Sequence, residues 1–78
     1  MHGSMRFSPY LLRRLRIRPE IQIEWVIRTY EKPDARHVQA DRREQLWKYI
    51  PEAGHYLRVV VLPDGKTILN AFFDRRFQ

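Results

Sequence analysis

With 78 residues there is room for one domain and one core, and a chain this short buries only roughly 60% of its unfolded surface, so its stability is expected to be modest or shared with a partner. Zero cysteines exclude a disulfide framework and thiolate chemistry, and three scattered histidines do not build a structural zinc site, so no cofactor or metal is implied. A net charge of +6, carried mainly by arginine, suits phosphate or carboxylate pairing and points to RNA or an acidic protein as partner.

Met1-His2-Gly3-Ser4 ahead of a second methionine reads as a vector remnant, which sets 1–4 aside and leaves a single α+β domain over 5–78. The first residues lack the apolar core of a secretory signal, and no apolar run approaches the ~20 residues needed to cross a bilayer. The expected setting is the cytoplasm, with no membrane partner.

Ser8 followed by Pro9 is a helix start, a capping hydroxyl before a first helical position that needs no N–H, with Phe7 placed to staple against Leu12. Leu11, Leu12 and Leu15 then form one apolar stripe, and a short helix from Pro9 to about Arg16 turns Arg13, Arg14 and Arg16 outward as a basic face. Pro19 opens a second predicted helix, with Glu20 in its first turn. Ile23, Val26, Ile27 and Tyr30 recur at helical spacing, Glu24 can pair with Arg28 one turn on, and Lys32-Pro33-Asp34 is the stop. Ile21 and Trp25 fall on the flank of that helix, where the sheet's edge or another protein would cover them.

Beyond Asp34 the punctuation is that of strands. His37 to Ala40 is a short first strand and Asp41-Arg42-Arg43 a turn. Gln45 to Ile50 alternates, with Gln45, Trp47 and Tyr49 on one face and Leu46, Lys48 and Ile50 on the other. Tyr56 to Leu62, with its continuous VVVL, reads as a central strand covered on part of both faces, and Pro63-Asp64-Gly65 is a tight turn joining it to Thr67 to Asp74. The predicted fold is two N-terminal helices packed on one face of a three- or four-stranded antiparallel meander, leaving the other sheet face for function.

Arg58 interrupts the apolar central strand on the face of Tyr56 and Val60, so it must reach water, a counter-ion or a ligand. If neighbouring faces coincide, Arg58, Lys48, Asn70 and Asp74 make one polar cluster, either an Arg58 pair with Asp74 or Glu44 or a phosphate site built on Arg58 and Lys48. His55, beside Gly54 in a loop, is the remaining proton-transfer candidate, though neither it nor His37 sits in a recognisable catalytic spacing. Trp47, Tyr49, Tyr56, Phe72 and Phe73 have the ring faces that stack on single-stranded bases, and equally the bulk that builds a small core. Arg75 and Arg76 extend the basic surface past the last strand. No Walker loop, dinucleotide glycine pattern or serine triad is present.

The sequence carries the order I-x-P-E…W-V-I…P, then V-Q-A-D-x-R-x-x-x-W-x-Y-I-P-E-x-G-x-Y-L-R-V-V-V-L-x-D-G-x-T, then N-A-F-F-D-R-R-F. Over residues 15 to 77 it resembles a family of small uncharacterised bacterial proteins distantly related to the BrnT and RelE toxin group. That resemblance implies a RelE-like fold and a toxin–antitoxin setting. RelE-group members cleave mRNA, often on the ribosome, with basic and polar residues on a sheet that orient the 2′-hydroxyl and stabilise the phosphate. It makes Lys48, Arg58 and Arg75 or Arg76 the positions for such endoribonuclease chemistry. The expected RNA-binding set is Arg13, Arg14, Arg16, Arg58, Arg75 and Arg76. The alternative expectation is a non-catalytic interaction module that binds an acidic antitoxin-like protein or a second copy of itself.

Overall fold

The structure, a computed structural model, describes residues 5–77; the predicted vector remnant at 1–4 lies outside them. A two-residue strand β1 (Arg6–Phe7) leads into helices α1 (Pro9–Ile17) and α2 (Ile23–Glu31), followed by strands β2 (Ala35–Val38), β3 (Glu44–Ile50), β4 (His55–Val61) and β5 (Thr67–Phe73). The sheet order is β1-β5-β4-β3-β2, with β1 parallel to β5 and every other pair antiparallel. The α+β architecture is the expected one, but the sheet is five-stranded and mixed instead of a three- or four-stranded meander. The extra strand is β1, which precedes the helices and adds itself to the edge of β5.

α1 begins as its sequence dictates. Ser8 takes an extended conformation, its hydroxyl accepts a hydrogen bond from Leu11 N at 3.0 Å, and Pro9 follows at the first helical position. The same hydroxyl donates to Leu69 O at 2.9 Å, so the cap also fastens the helix to β5. The leucine stripe is narrower than expected: Leu11 is fully buried and Leu15 packs on the core, whereas Leu12 is 47% exposed. Phe7 therefore packs on the core and not as a staple against an outward Leu12.

α2 starts four residues later than Pro19 suggests. Pro19 to Ile21 form a turn, and Gln22 occupies the cap position without a side-chain hydrogen bond. Glu20 then lies outside the helix and pairs with Arg18 at 3.8 Å, while Glu24 takes the first-turn place. The flank of Ile21 and Trp25 is the inward one. Ile21 is buried, and the Trp25 ring meets Phe73 of β5 at 6.2 Å, so the domain itself covers that surface while Ile23 is exposed. Arg28 pairs bidentately with Glu52 in the β3–β4 loop, both bonds 3.1 Å, and not with Glu24.

β2 begins two residues earlier than expected, at Ala35. Two turns need a positive φ and use glycine for it, Gly54 at 72° and Gly65 at 71°, whereas Arg42 holds 71° with a side chain attached. In the β4–β5 hairpin the Asp64 carboxylate accepts from Lys66 N, Thr67 N and the Thr67 hydroxyl, and these bonds hold its pKa down to about 2.

Both helices lie on one sheet face. Leu46, Ile50, Leu57, Val59, Val61, Ile68 and Ala71 from the sheet close over Leu11, Ile21 and Val26. Each large aliphatic so buried contributes about 1.5–3 kcal/mol. The opposite sheet face carries the other alternate set, and neither described helix covers it.

Candidate nucleic-acid interface

The β3–β4 register pairs Trp47 with Arg58 and Lys48 with Leu57, and the β4–β5 register pairs Arg58 with Phe72. Because directly paired residues share a face, Arg58 lies between Trp47 and Phe72 on the helix-free side, and Lys48 is on the other side. The single polar cluster of Arg58 and Lys48 considered from sequence does not form. Glu44 pairs with Val61 on the helix side and reaches Arg36 at 3.0 Å, so it is not Arg58's partner.

Arg58's partner is Asp74. The guanidinium Nη2 lies 3.2 Å from Asp74 Oδ2, Nη1 donates to Gln45 Oε1 at 3.3 Å, and the plane sits 4.5 Å from the Phe72 ring centroid and 5.7 Å from that of Trp47. Arg58 Nε is buried without a hydrogen-bond partner among the described residues. Asp74 also accepts from the Trp47 indole Nε1 at 3.0 Å and from Arg76 N at 3.1 Å. The indole hydrogen bond is the chief reason that its pKa lies below the usual carboxylate range, with the Arg76 amide and the Arg58 charge acting in the same direction.

Past Asp74 the chain folds back over this face. The Phe77 ring stacks on Trp47 with centroids 4.6 Å apart and planes 12° from parallel, and meets Tyr56 edge-on at 4.9 Å. Tyr56 in turn meets Tyr49 at 5.3 Å, and Tyr49 is exposed. Trp47, on a face without helices, is thereby only 8% exposed. Phe73 points the other way, to Trp25 and His55, as alternation requires.

The three candidates for chemistry do not converge. Lys48 Nζ donates to Lys32 O at 2.8 Å and pairs with Asp34 at 3.4 Å, tying the end of α2 to β3. His55 is the first residue of β4, half-buried with its ring 5.8 Å from Phe73, and is not in a loop. Arg58 is on the opposite face from both. Among the described residues no group of three histidine or carboxylate side chains is placed to hold a metal ion.

A group of arginines lies around α1 and the end of β5. Acidic partners neutralise Arg18, Arg28, Arg36, Arg43, Lys48 and Arg58, whereas Arg13, Arg14, Arg16, Arg75 and Arg76 form no ion pair with a described residue, nor do the exposed Arg6, Lys32, Arg42 and Lys66 elsewhere on the surface. Arg14 and Arg18 are shared by two adjoining depressions of 230 and 220 Å³. One continues over Tyr10, Arg13 and Ile17, and the other over Glu20, Phe72 and Arg75. Each is smaller than the roughly 300–1,000 Å³ of a drug-sized pocket, but together they make a groove that a polyanion can follow. Arg14 is fixed there, with Nε donating to Ala71 O at 3.2 Å and its guanidinium 6.0 Å from the Phe72 centroid. Helical spacing places Arg16 on the other flank of α1 with Leu12, away from the groove. Arg18 and Tyr10, absent from the expected set, belong to it.

No protein-family model, no curated protein and no solved structure matches the chain. Among the described residues no helix is long and apolar enough to cross a membrane.

Proposed function

We propose that the chain is a small toxin-like RNA-binding domain of the cytoplasm that holds single-stranded RNA, free or on the ribosome, by its phosphates. The observation that carries this reading is a local concentration of arginine: Arg13, Arg14 and Arg75, none with an ion-pair partner among the described residues, border one groove with Arg18. Unneutralised arginines along a groove supply bidentate phosphate contacts and a salt-dependent, weakly sequence-selective affinity. The resemblance to the BrnT and RelE group supports the same reading, while the dispersal of Lys48, His55 and Arg58 favours binding over mRNA cleavage. Titrating a fluorescein-labelled RNA 12-mer at several salt concentrations tests it. Affinity should fall steeply with salt, and the triple change Arg13→Ala, Arg18→Ala, Arg75→Ala should flatten that slope in a protein that still melts cooperatively. A slope unchanged by the triple variant, or no binding at low salt, overturns the proposal.

Tyr10 and Ile17, 49% and 69% exposed beside Arg13, favour a second reading. Apolar rings and branches among arginines also suit an acidic amphipathic segment such as an antitoxin-like protein would offer. An adjacent reading frame encoding such a protein, and a complex lost on Tyr10→Ser with Ile17→Ser, would support it.

A further inference from the structure

We infer that the helix-free sheet face contains a nucleobase-stacking site at Trp47 and Tyr56, and that Phe77 occupies it in this structure as an internal stand-in. The inference rests on the RNA-binding reading for its ligand, and on independent geometry for its place.

Aromatic side chains in proteins prefer offset or edge-to-face contacts, and Tyr56 with Tyr49 and Tyr56 with Phe77 follow that preference, both with planes 66° apart. The Trp47–Phe77 pair is stacked instead, nearly parallel with centroids 4.6 Å apart, which is the flat-on contact a base makes with an aromatic platform. A flat ring laid on an indole with a second aromatic edge beside it is the arrangement by which single-strand binders hold a base. Phe77 reaches this place from outside the sheet. Its segment leaves β5 at Phe73, turns at Arg75 and Arg76, and returns with Asp74 accepting from Arg76 N at 3.1 Å. The ring's aromatic partners among the described residues are Trp47 and Tyr56, and its segment is held by the Arg76 and Phe77 amides at the Asp74 carboxylate, so it can swing away without breaking a strand ladder or the helix-side core.

What would remain is a formed platform. The Trp47 indole N–H is held by Asp74, and the Arg58 guanidinium lies 5.7 Å from the ring centroid as a neighbouring cation. Tyr49, 43% exposed, continues the aromatic row past Tyr56, where a second base would stack. Arg75 and Arg76, both exposed and without an acidic partner among the described residues, lie on the same segment as Phe77, and Arg75 also lines the arginine groove. A strand whose phosphates follow that groove reaches the edge of β5, and a base further along it, past Phe72 and Arg58, can turn onto Trp47 on β3. Phe77 then competes with the base, and the apparent affinity of the closed protein is its intrinsic affinity reduced by the fraction of molecules with the site open.

The test uses the two indole N–H resonances of the protein, assigned with Trp25→Phe, and adenosine monophosphate against ribose 5-phosphate as probes. In folded Phe77→Ala the Trp47 resonance should move on adding the nucleotide and stay in place with the sugar phosphate, at a nucleotide concentration about tenfold lower than the parent protein needs. Tyr56→Ala in the same background should weaken the response several-fold. A Trp47 resonance that adenosine monophosphate leaves unmoved in folded Phe77→Ala, or moves no more than ribose 5-phosphate does, overturns the site. The salt slope for the RNA 12-mer reports separately on the groove: a missing slope with a shifted Trp47 resonance removes the phosphate reading and keeps the stacking site, and the reverse pattern removes the stacking site alone.

Discussion

Asp74 holds the Trp47 indole by a 3.0 Å hydrogen bond and Arg58 by a 3.2 Å ion pair through the same carboxylate oxygen, Oδ2, so one residue past the end of β5 locks together β3 and β4. The pair is mostly shielded, with side-chain exposures of 26% for Arg58 and 13% for Asp74. Removing one partner of such a pair costs more than the pair contributes, because the other charge stays shielded without compensation. Asp74→Asn keeps the shape and can keep a carbonyl near the indole but loses the charge beside Arg58. We expect it to lower stability by about 1–3 kcal/mol, read from urea midpoints at unchanged slope. Unchanged stability would show that the pair is solvent-screened in solution.

The same carboxylate fixes one part of the acid response. Asp74 and Asp64 both have folded-state pKa values below those of an unfolded chain, Asp64 at about 2 through its three hairpin hydrogen bonds. A depressed carboxyl contributes stability that is complete above its unfolded pKa, near 4, and is lost as pH falls through the folded value. Melting temperature should therefore be level with respect to these two groups from neutral pH to about 5 and decline from about 4 towards 2. In Asp64→Asn the decline should be shallower, and a parent-like acid limb in that variant would rule out Asp64 as a contributor.

Ser8 is predicted to matter beyond an ordinary cap. Its hydroxyl accepts from Leu11 N and donates to Leu69 O while the residue is buried. Ser8→Ala should cost about 1–2 kcal/mol in thermal or chemical unfolding, the upper part of the range for caps, because the buried Leu11 amide loses its acceptor and Leu69 O loses a donor. Ser8→Thr should recover part of that loss by restoring the hydroxyl, and a neutral Ser8→Ala would mean that water replaces both bonds.

The residues show why some of this was legible and some was not. Alternation along 45–50 and 56–62 assigns each side chain a face, so the opposite directions of Phe72 and Phe73 and an Arg58–Asp74 pair follow from sequence. Which faces meet depends on register, and register here is set by the loop ending at Gly54, which pairs Tyr49 with Tyr56. That pairing puts Trp47, not Lys48, beside Arg58, and no local pattern encodes it. β1 escaped because two residues in parallel pairing carry no alternation to read. Pro19 misled because proline favours turns as well as first helical positions, and the chain used it in a turn. Phe77 had no signal in sequence, since its partners are brought to it only after β5 ends.

Arg14 allows structure and binding to be separated at the groove. Its Nε closes the exposed edge of β5 at Ala71 O, where Ser8 N also donates to Ile68 O at 3.0 Å and Asn70 Oδ1 accepts from Ala71 N at 2.8 Å. Without these contacts the stretch of β5 beyond β1 would be a free edge open to strand addition. Arg14→Lys keeps a positive charge in the groove and removes the Nε bond, whereas Arg14→Ala removes both. If phosphates are held mainly by charge, Arg14→Lys should lose about 0.5–1.5 kcal/mol of stability and little RNA affinity at low salt. Arg14→Ala should lose similar stability and several-fold in affinity, with a smaller salt slope. Thermal melts beside RNA titrations of the two variants make the comparison. Equal loss of affinity in both would mean that the planar guanidinium fork is required, and full affinity in Arg14→Ala would take Arg14 out of the RNA-binding surface while leaving its place on the β5 edge intact.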